Sequence, residues 1–235
     1  MTDQGYENPE LAKVVVEKNL IFRDQLFKAR PTKFDFWALR TLTGLGLVQK
    51  QEINVIDFGG GGGNHYFIAK AAFREKIWFR WNIVETSAMV KEARRLEDGE
   101  LKFFDDIDLA VKYLGKVDLV FSSGTLCCVL EPYLFLQRLT QIRAEHMFIT
   151  RMPLTTAAEQ MIIQTSKLSD NGPGLLPQGF IDRQIQYPIT FLNQQEFERA
   201  LGEKYSIKLI LNENESVALA AGGSIDMFGY FCELK

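Results

Sequence analysis

The chain has 235 residues, 46% hydrophobic and 12% aromatic, with 27 Lys and Arg set against 30 Asp and Glu for a net charge of −3. That apolar content fills a large core, and length alone allows one or two domains. The basic residues are scattered and outnumbered, so a nucleic-acid partner is not expected. No apolar run reaches the roughly 18 residues of a membrane span, and the N-terminal sequence has no signal-peptide pattern. A cytoplasmic protein without a membrane partner is therefore expected. Cys127, Cys128 and Cys232 lack metal-ligand spacing, which implies reduced thiols and no metal site.

In chain order, Asn8-Pro9-Glu10 is a helix start: a cap, proline at the first helical position and an acid in the first turn. Leu11, Val14, Val15, Phe22 and Leu26 keep helical spacing up to Pro31, and a second helix is predicted over 33–45, broken at Gly44 and Gly46. The strand that follows, with Ile53, Val55, Ile56 and Phe58, has the make-up of one buried on both faces. It passes Asp57 and runs into five glycines, Gly59 to Gly63. Glycines permit positive φ and a close approach of backbone to ligand, and Asn64 is placed to cap the next helix, whose N-terminus favours negative charge. The junction reads as a nucleotide-type site, although glycine-rich turns also serve as plain connectors.

The later elements keep phase. A second strand over 78–85 ends in Glu85, and a carboxylate at a strand's carboxyl end offers two acceptors to the paired hydroxyls of a ribose. A short third strand over 101–104 leads to Asp105 and Asp106; a fourth over 117–121 precedes Ser122-Ser123-Gly124-Thr125; a fifth over 146–150 precedes Arg151-Met152-Pro153. Beyond it a helix is predicted over 155–168 and a loop over 169–188, long enough to be functional. A helix over 193–201 and strands over 205–211 and 227–234, paired as an antiparallel hairpin, complete the chain.

The loop ends Gly63-Asn64-His65 rather than Gly-Lys-Ser/Thr, which excludes the common phosphate-cradling NTPase loop. G-x-G-x-x-G of dinucleotide folds fits poorly, since position 64 is Asn. Val55-Ile56-Asp57-Phe58-Gly59-x-Gly61-x-Gly63 resembles motif I of the class I S-adenosylmethionine (SAM) dependent methyltransferases. Together with Glu85, Ser-Ser-Gly-Thr-Leu, Thr-Arg-Met-Pro and Tyr187-Pro188, it is similar to a little-characterised bacterial group of methyltransferases often associated with cell-surface polysaccharide biosynthesis. The resemblance implies a doubly wound α/β fold with a seven-stranded, mostly parallel sheet and an antiparallel last strand. It implies a helical cap or lid over 1–50, a SAM-binding domain over 51–235 and a substrate-covering insertion over 155–190. The implied cofactor residues are Asp57, Gly59, Gly60, Gly61, Gly63 and Glu85, then Ser122 and Ser123, and either Asp105 or Asp106 at the adenine amino group, Asp106 being preferred.

The residues narrow the chemistry further. Ser122-Ser123-Gly124-Thr125 stands where amino-group enzymes carry Asn/Asp-Pro-Pro-Tyr, Cys127-Cys128 lacks a Pro-Cys context, and no Asp-Asn pair follows the fifth strand to hold Mg²⁺. Direct displacement onto an oxygen or nitrogen of a small-molecule substrate remains, in which the protein chiefly aligns the reactants. Candidates for the catalytic end are His65, behind the glycine loop; Arg151, whose fork suits a carboxylate or phosphate unless it pairs with an acid such as Asp105; and Tyr187. Tyr66 and Gln178 are candidate pocket walls, and His146 is expected to be structural. A SAM-binding subunit without catalysis and an NAD-dependent oxidoreductase are the competing readings.

Overall fold

The computed structural model describes residues 5–29, 31–213, 217–218 and 224–235. They form seven α-helices and ten strands, in two compact units: Met1–Gly115 with Thr165–Tyr187, and Lys116–Gln164 with Pro188–Lys235. The expected boundary near residue 50 falls inside the first unit.

In the first unit, β1 (Glu52–Phe58), β2 (Trp78–Val84) and β3 (Leu101–Phe104) pair in parallel in the order β3-β2-β1. Ile53, Val55, Ile56, Trp81 and Ile83 are fully enclosed, as strands covered on both faces require. Five helices belong to this unit: α1 (Pro9–Lys28), α2 (Ala38–Val48), α3 (Asn64–Phe73), α4 (Ser87–Ala93) and α5 (Ile107–Leu114). Asn8 caps α1 as read from the sequence, its Oδ1 accepting from the amides of Glu10 at 2.8 Å and Leu11 at 3.2 Å. The helix after the glycines is capped instead by Gly63 at φ 89°, and Asn64 is its first residue. The second helix is also displaced from the prediction. It runs unbroken through Gly44 and Gly46 to Val48, because the apolar face carrying Thr41, Gly44, Leu45 and Val48 is buried and outweighs the low propensity of two glycines.

In the second unit, β4 (Leu119–Ser123) pairs in parallel with β5 (His146–Thr155), and β10 (Ser224–Leu234) lies antiparallel between β5 and β8 (Tyr205–Asn212). Helices α6 (Pro132–Gln141) and α7 (Gln194–Gly202) and the two-residue β9 (Val217–Ala218) complete it. His146 is buried there, its ring 5.4 Å from that of Phe231. The α/β class, the mostly parallel pairing and the antiparallel last strand agree with expectation.

Two segments depart from it. The helix predicted over 155–168 is absent: β5 continues to Thr155, and β6 (Gln160–Lys167) takes the rest. β6 pairs with β7 (Gln184–Asn193), which occupies the end of the predicted loop and contains Tyr187 and Pro188. The β-branched Ile162, Ile163 and Thr165 favour the extended form, and the burial of β6 alternates with a period near two. This pair of strands carries the chain across from one unit to the other and back.

Gly46 is exposed in α2 and a Cβ there would meet nothing within 4 Å. Gly46→Ala is expected to raise stability by roughly 0.5–1 kcal/mol, seen as a higher midpoint in denaturant titration at unchanged slope.

Candidate functional site

The glycine turn is organised around Asp57, the penultimate residue of β1. Its carboxyl is completely buried, and Oδ2 accepts the indole N–H of Trp81 at 3.0 Å. Oδ1 has no hydrogen-bond partner. Burial pushes this carboxyl up to about 8, a rise that the Trp81 bond opposes and the neighbouring Glu85 reinforces. Gly60 is folded so tightly onto it that a Cβ would lie 2.5 Å from Oδ2. Gly59, Gly61 and Gly63 take φ values of 75°, 56° and 89°, open to glycine with little strain. Gly59 and Gly61 stay half-buried while Gly60, Gly62 and Gly63 are enclosed.

Glu85 follows β2 and folds back on the same turn. Its Oε1 accepts from the Gly61 amide at 3.0 Å and its Oε2 from the Thr86 amide at 2.9 Å. Each oxygen keeps a further lone-pair direction for a ligand donor. Burial raises the affinity of this carboxyl for a proton, while the two amides work the other way. Of the two acids after β3, Asp106 is the N-cap of α5, its Oδ1 accepting from the Leu109 amide at 2.8 Å, whereas Asp105 is exposed and accepts from the Ser87 hydroxyl at 2.9 Å.

His65 shares a 2.7 Å hydrogen bond through Nδ1 with Thr41 of α2. Tyr187 is 7% exposed and packs on Tyr6 with ring centres 4.6 Å apart. The Tyr66 hydroxyl donates to Asp98 at 3.0 Å, and Gln178 lies in the segment between β6 and β7. In the second unit, Ser122 is buried in β4, and Ser123 ends that strand with its Oγ buried and unpartnered. Arg151 is the exposed residue within the ten of β5, which runs on past it instead of stopping at Thr150.

Two groups are absent from the sequence reading. Asn19 of α1 is buried, donates through Nδ2 to the Val15 carbonyl at 2.9 Å, and lies against the glycine turn, where a Cβ on Gly62 would be 2.6 Å from Nδ2. Glu213 lies beside Thr150 and Arg151, accepting from the Arg151 amide at 3.1 Å. An Asn in an apolar helix face was the available signal for the first; nothing local marks the second. A cavity of 320 Å³ lined by Phe27, Lys70, Arg74 and Trp78 opens at the first residue of β2, the strand end remote from Glu85.

The strand pairing and glycine turn define the class I SAM-dependent methyltransferase fold. No family model and no curated protein matches the sequence. Solved structures do match in fold. They include the N-terminal domain of EvdMO1 solved with S-adenosylhomocysteine (SAH) and D-fucose (TM-score 0.54, 12% identity, 87% of this chain and 85% of that one). A SAM-dependent methyltransferase from Clostridium acetobutylicum is similar at a TM-score of 0.53 and 11% identity, over 93% of this chain and 98% of that one.

Because the Asp57 carboxyl rises from 3.8 to about 8 on folding, the folded state holds a proton that the unfolded state releases. Its contribution is complete below the unfolded value and is lost as pH rises towards about 8. Asp57→Asn is expected to flatten the decline of stability with pH across that window, checked by denaturant titrations from pH 5 to 8.5 on both proteins.

Proposed function

We propose that the chain is a SAM-dependent methyltransferase that moves a methyl group to an oxygen or nitrogen of a small polar acceptor by direct displacement. The observation that carries this reading is Glu85 folded onto the amide of Gly61. It sets a two-oxygen acceptor beside a backbone turn with two half-open glycines, which suits a ligand carrying adjacent hydroxyls on one side and a charged amino-acid end on the other. An NAD-dependent enzyme also uses an acid after the second strand, but β10 running antiparallel between β5 and β8 favours the methyltransferase architecture.

Gly59 to Gly63 and Glu85 would hold the cofactor, with Asp57 fixing the turn from beneath. The adenine contact falls to Asp105 or Asp106: Asp106 uses Oδ1 in the cap of α5 and Asp105 uses Oδ2 on the Ser87 hydroxyl, so each keeps a second carboxylate oxygen for a ligand donor. Bound there, SAM supplies a methyl group on a sulfonium, already a strong electrophile. The chain's work is then to orient the acceptor and exclude water. Arg151 is exposed, always charged and planar in its guanidinium. We take it as the group that recognises an anionic part of the acceptor, a carboxylate or phosphate such as sugar acids and nucleotide-linked sugars carry. Solution of the EvdMO1 domain with D-fucose is in keeping with a sugar-like acceptor. Direct displacement needs no general base, so this reading gives His65, bonded to Thr41, and Tyr187, packed on Tyr6, no proton-transfer step.

Calorimetry is expected to show SAM and SAH binding and no binding of NADH. Glu85→Ala removes charge-assisted hydrogen bonds worth roughly 1.5–3 kcal/mol each and is expected to weaken SAH at least about tenfold. Unchanged affinity in a folded variant would exclude Glu85 from the cofactor site.

A further inference from the structure

Arg151 holds a conformation that an arginine does not choose by itself. Its φ is 56°, in the left-handed region, which strains a residue that carries a Cβ. The sheet supplies one cause. On β10 the register passes from Phe228 opposite Met152 to Tyr230 opposite Ile149, so Thr150 and Arg151 together face Gly229. Two residues against one is a β-bulge, a device that re-aims a side chain.

Glu213, the residue after β8, supplies the other. A single oxygen, Oε1, accepts both the Thr150 hydroxyl and, at 3.1 Å, the Arg151 amide. Gly229 makes room for this: a Cβ there would lie 3.0 Å from that oxygen and 3.2 Å from Thr150 Oγ1. The turned Arg151 side chain lies over Gly124, with Nη1 and Cζ 3.4 and 3.5 Å from where a Cβ would stand. That glycine is itself fixed, since its amide donates to the Thr150 carbonyl at 2.9 Å and its carbonyl accepts the thiols of Cys127 and Cys128 at 3.5 and 3.4 Å. A charged fork is therefore laid on a glycine floor, and the buttress is one carboxylate oxygen.

We propose that Glu213 is a positioning residue for acceptor recognition, holding Arg151 in its left-handed turn so that the guanidinium is presented to the acceptor's carboxylate or phosphate. The proposal rests on the assignment of Arg151 as the anion-binding group. It differs from a general-base role in a way that can be measured. A base needs the carboxylate charge, whereas positioning needs only the acceptor oxygen on which both bonds converge, and glutamine retains that oxygen.

The test uses the SAH-loaded full chain with inorganic phosphate as the anion probe. Wild-type protein is expected to bind phosphate, and Arg151→Gly to lose that binding. Glu213→Ala should weaken it about tenfold, while Glu213→Gln stays within about threefold and SAH affinity is the same in every variant. In parallel, Glu213→Ala should lower the melting temperature of the wild-type background, and by less than half as much in an Arg151→Gly background, where glycine takes positive φ without strain. Phosphate affinity unaffected by Glu213→Ala, or Glu213→Gln as defective as Glu213→Ala, would overturn the proposal, as would equal losses of melting temperature in the two backgrounds. If wild-type protein binds SAH but no phosphate, the anion role of Arg151 and with it the proposal fall while the methyltransferase reading stands; if SAH itself does not bind, that reading falls and the melting-temperature cycle alone decides whether Glu213 holds the turn.

Discussion

Everything at the glycine turn depends on one carboxyl buried without a counter-ion. Asp57 is shielded completely, has one indole donor, and is covered by Gly60 at a distance no side chain could tolerate. Burying such a group costs several kcal/mol if it is charged, so it is held largely neutral at low pH and costs stability as it ionises. In return the turn has a fixed base: Gly60 rests on Asp57, Trp81 of β2 pins the carboxyl to the neighbouring strand, and Glu85 from the end of that strand clasps Gly61. The positive φ angles of the turn are those that such a path over a carboxyl demands, which is why the position of Gly60 has no alternative residue.

The same economy appears at Arg151, with the roles reversed. There the strained residue is the one proposed to recognise the acceptor, and a carboxylate outside the strand holds it. The bulge at Gly229, the bonds to Glu213 and the glycine beneath the guanidinium each remove a way for Arg151 to relax. Strain of this kind persists only where the surroundings over-determine it.

How far the sequence reveals this depends on the range of the interactions. The strand before the glycines, the acid after the second strand and the cap at Asn8 are local patterns, and each was legible. The antiparallel strand at the end was expected from the fold that the glycine motif implies rather than from a pattern of its own. The segment over 160–167 was not, because a short apolar run with both β-branched and flexible residues suits a helix or a strand, and the partner strand that decided for β6 lies some twenty residues further on in β7. The cap on α5 was hidden in the same way: Asp105 and Asp106 are equivalent as letters, and only the start of the helix tells which carboxylate is committed to it. Glu213 and Asn19 belong to no motif themselves and act across long stretches of chain on residues that do, so Glu213 emerges only from the fold and Asn19 is marked by no more than its place on an apolar helix face.

The helix α1 touches the glycine turn and the insertion at once. Asn19 lies on Gly62, Val15 stands 3.7 Å from the Cβ position of Gly61 and 3.6 Å from that of Gly172, and the buried Lys18 donates to the carbonyls of Ser169 and Asn171 at 2.7 and 2.6 Å. A lysine spent on two backbone carbonyls, with burial lowering its affinity for the proton, is a costly fastening, and it makes these three segments share one fate. Any fluctuation that lifts the helix uncovers the turn and frees the strap at 169–172 together. Order spreads the other way as well: a ligand that stills the glycines stills a stretch of chain more than a hundred residues distant, so the amides of the strap should report on occupancy of a site that they never touch.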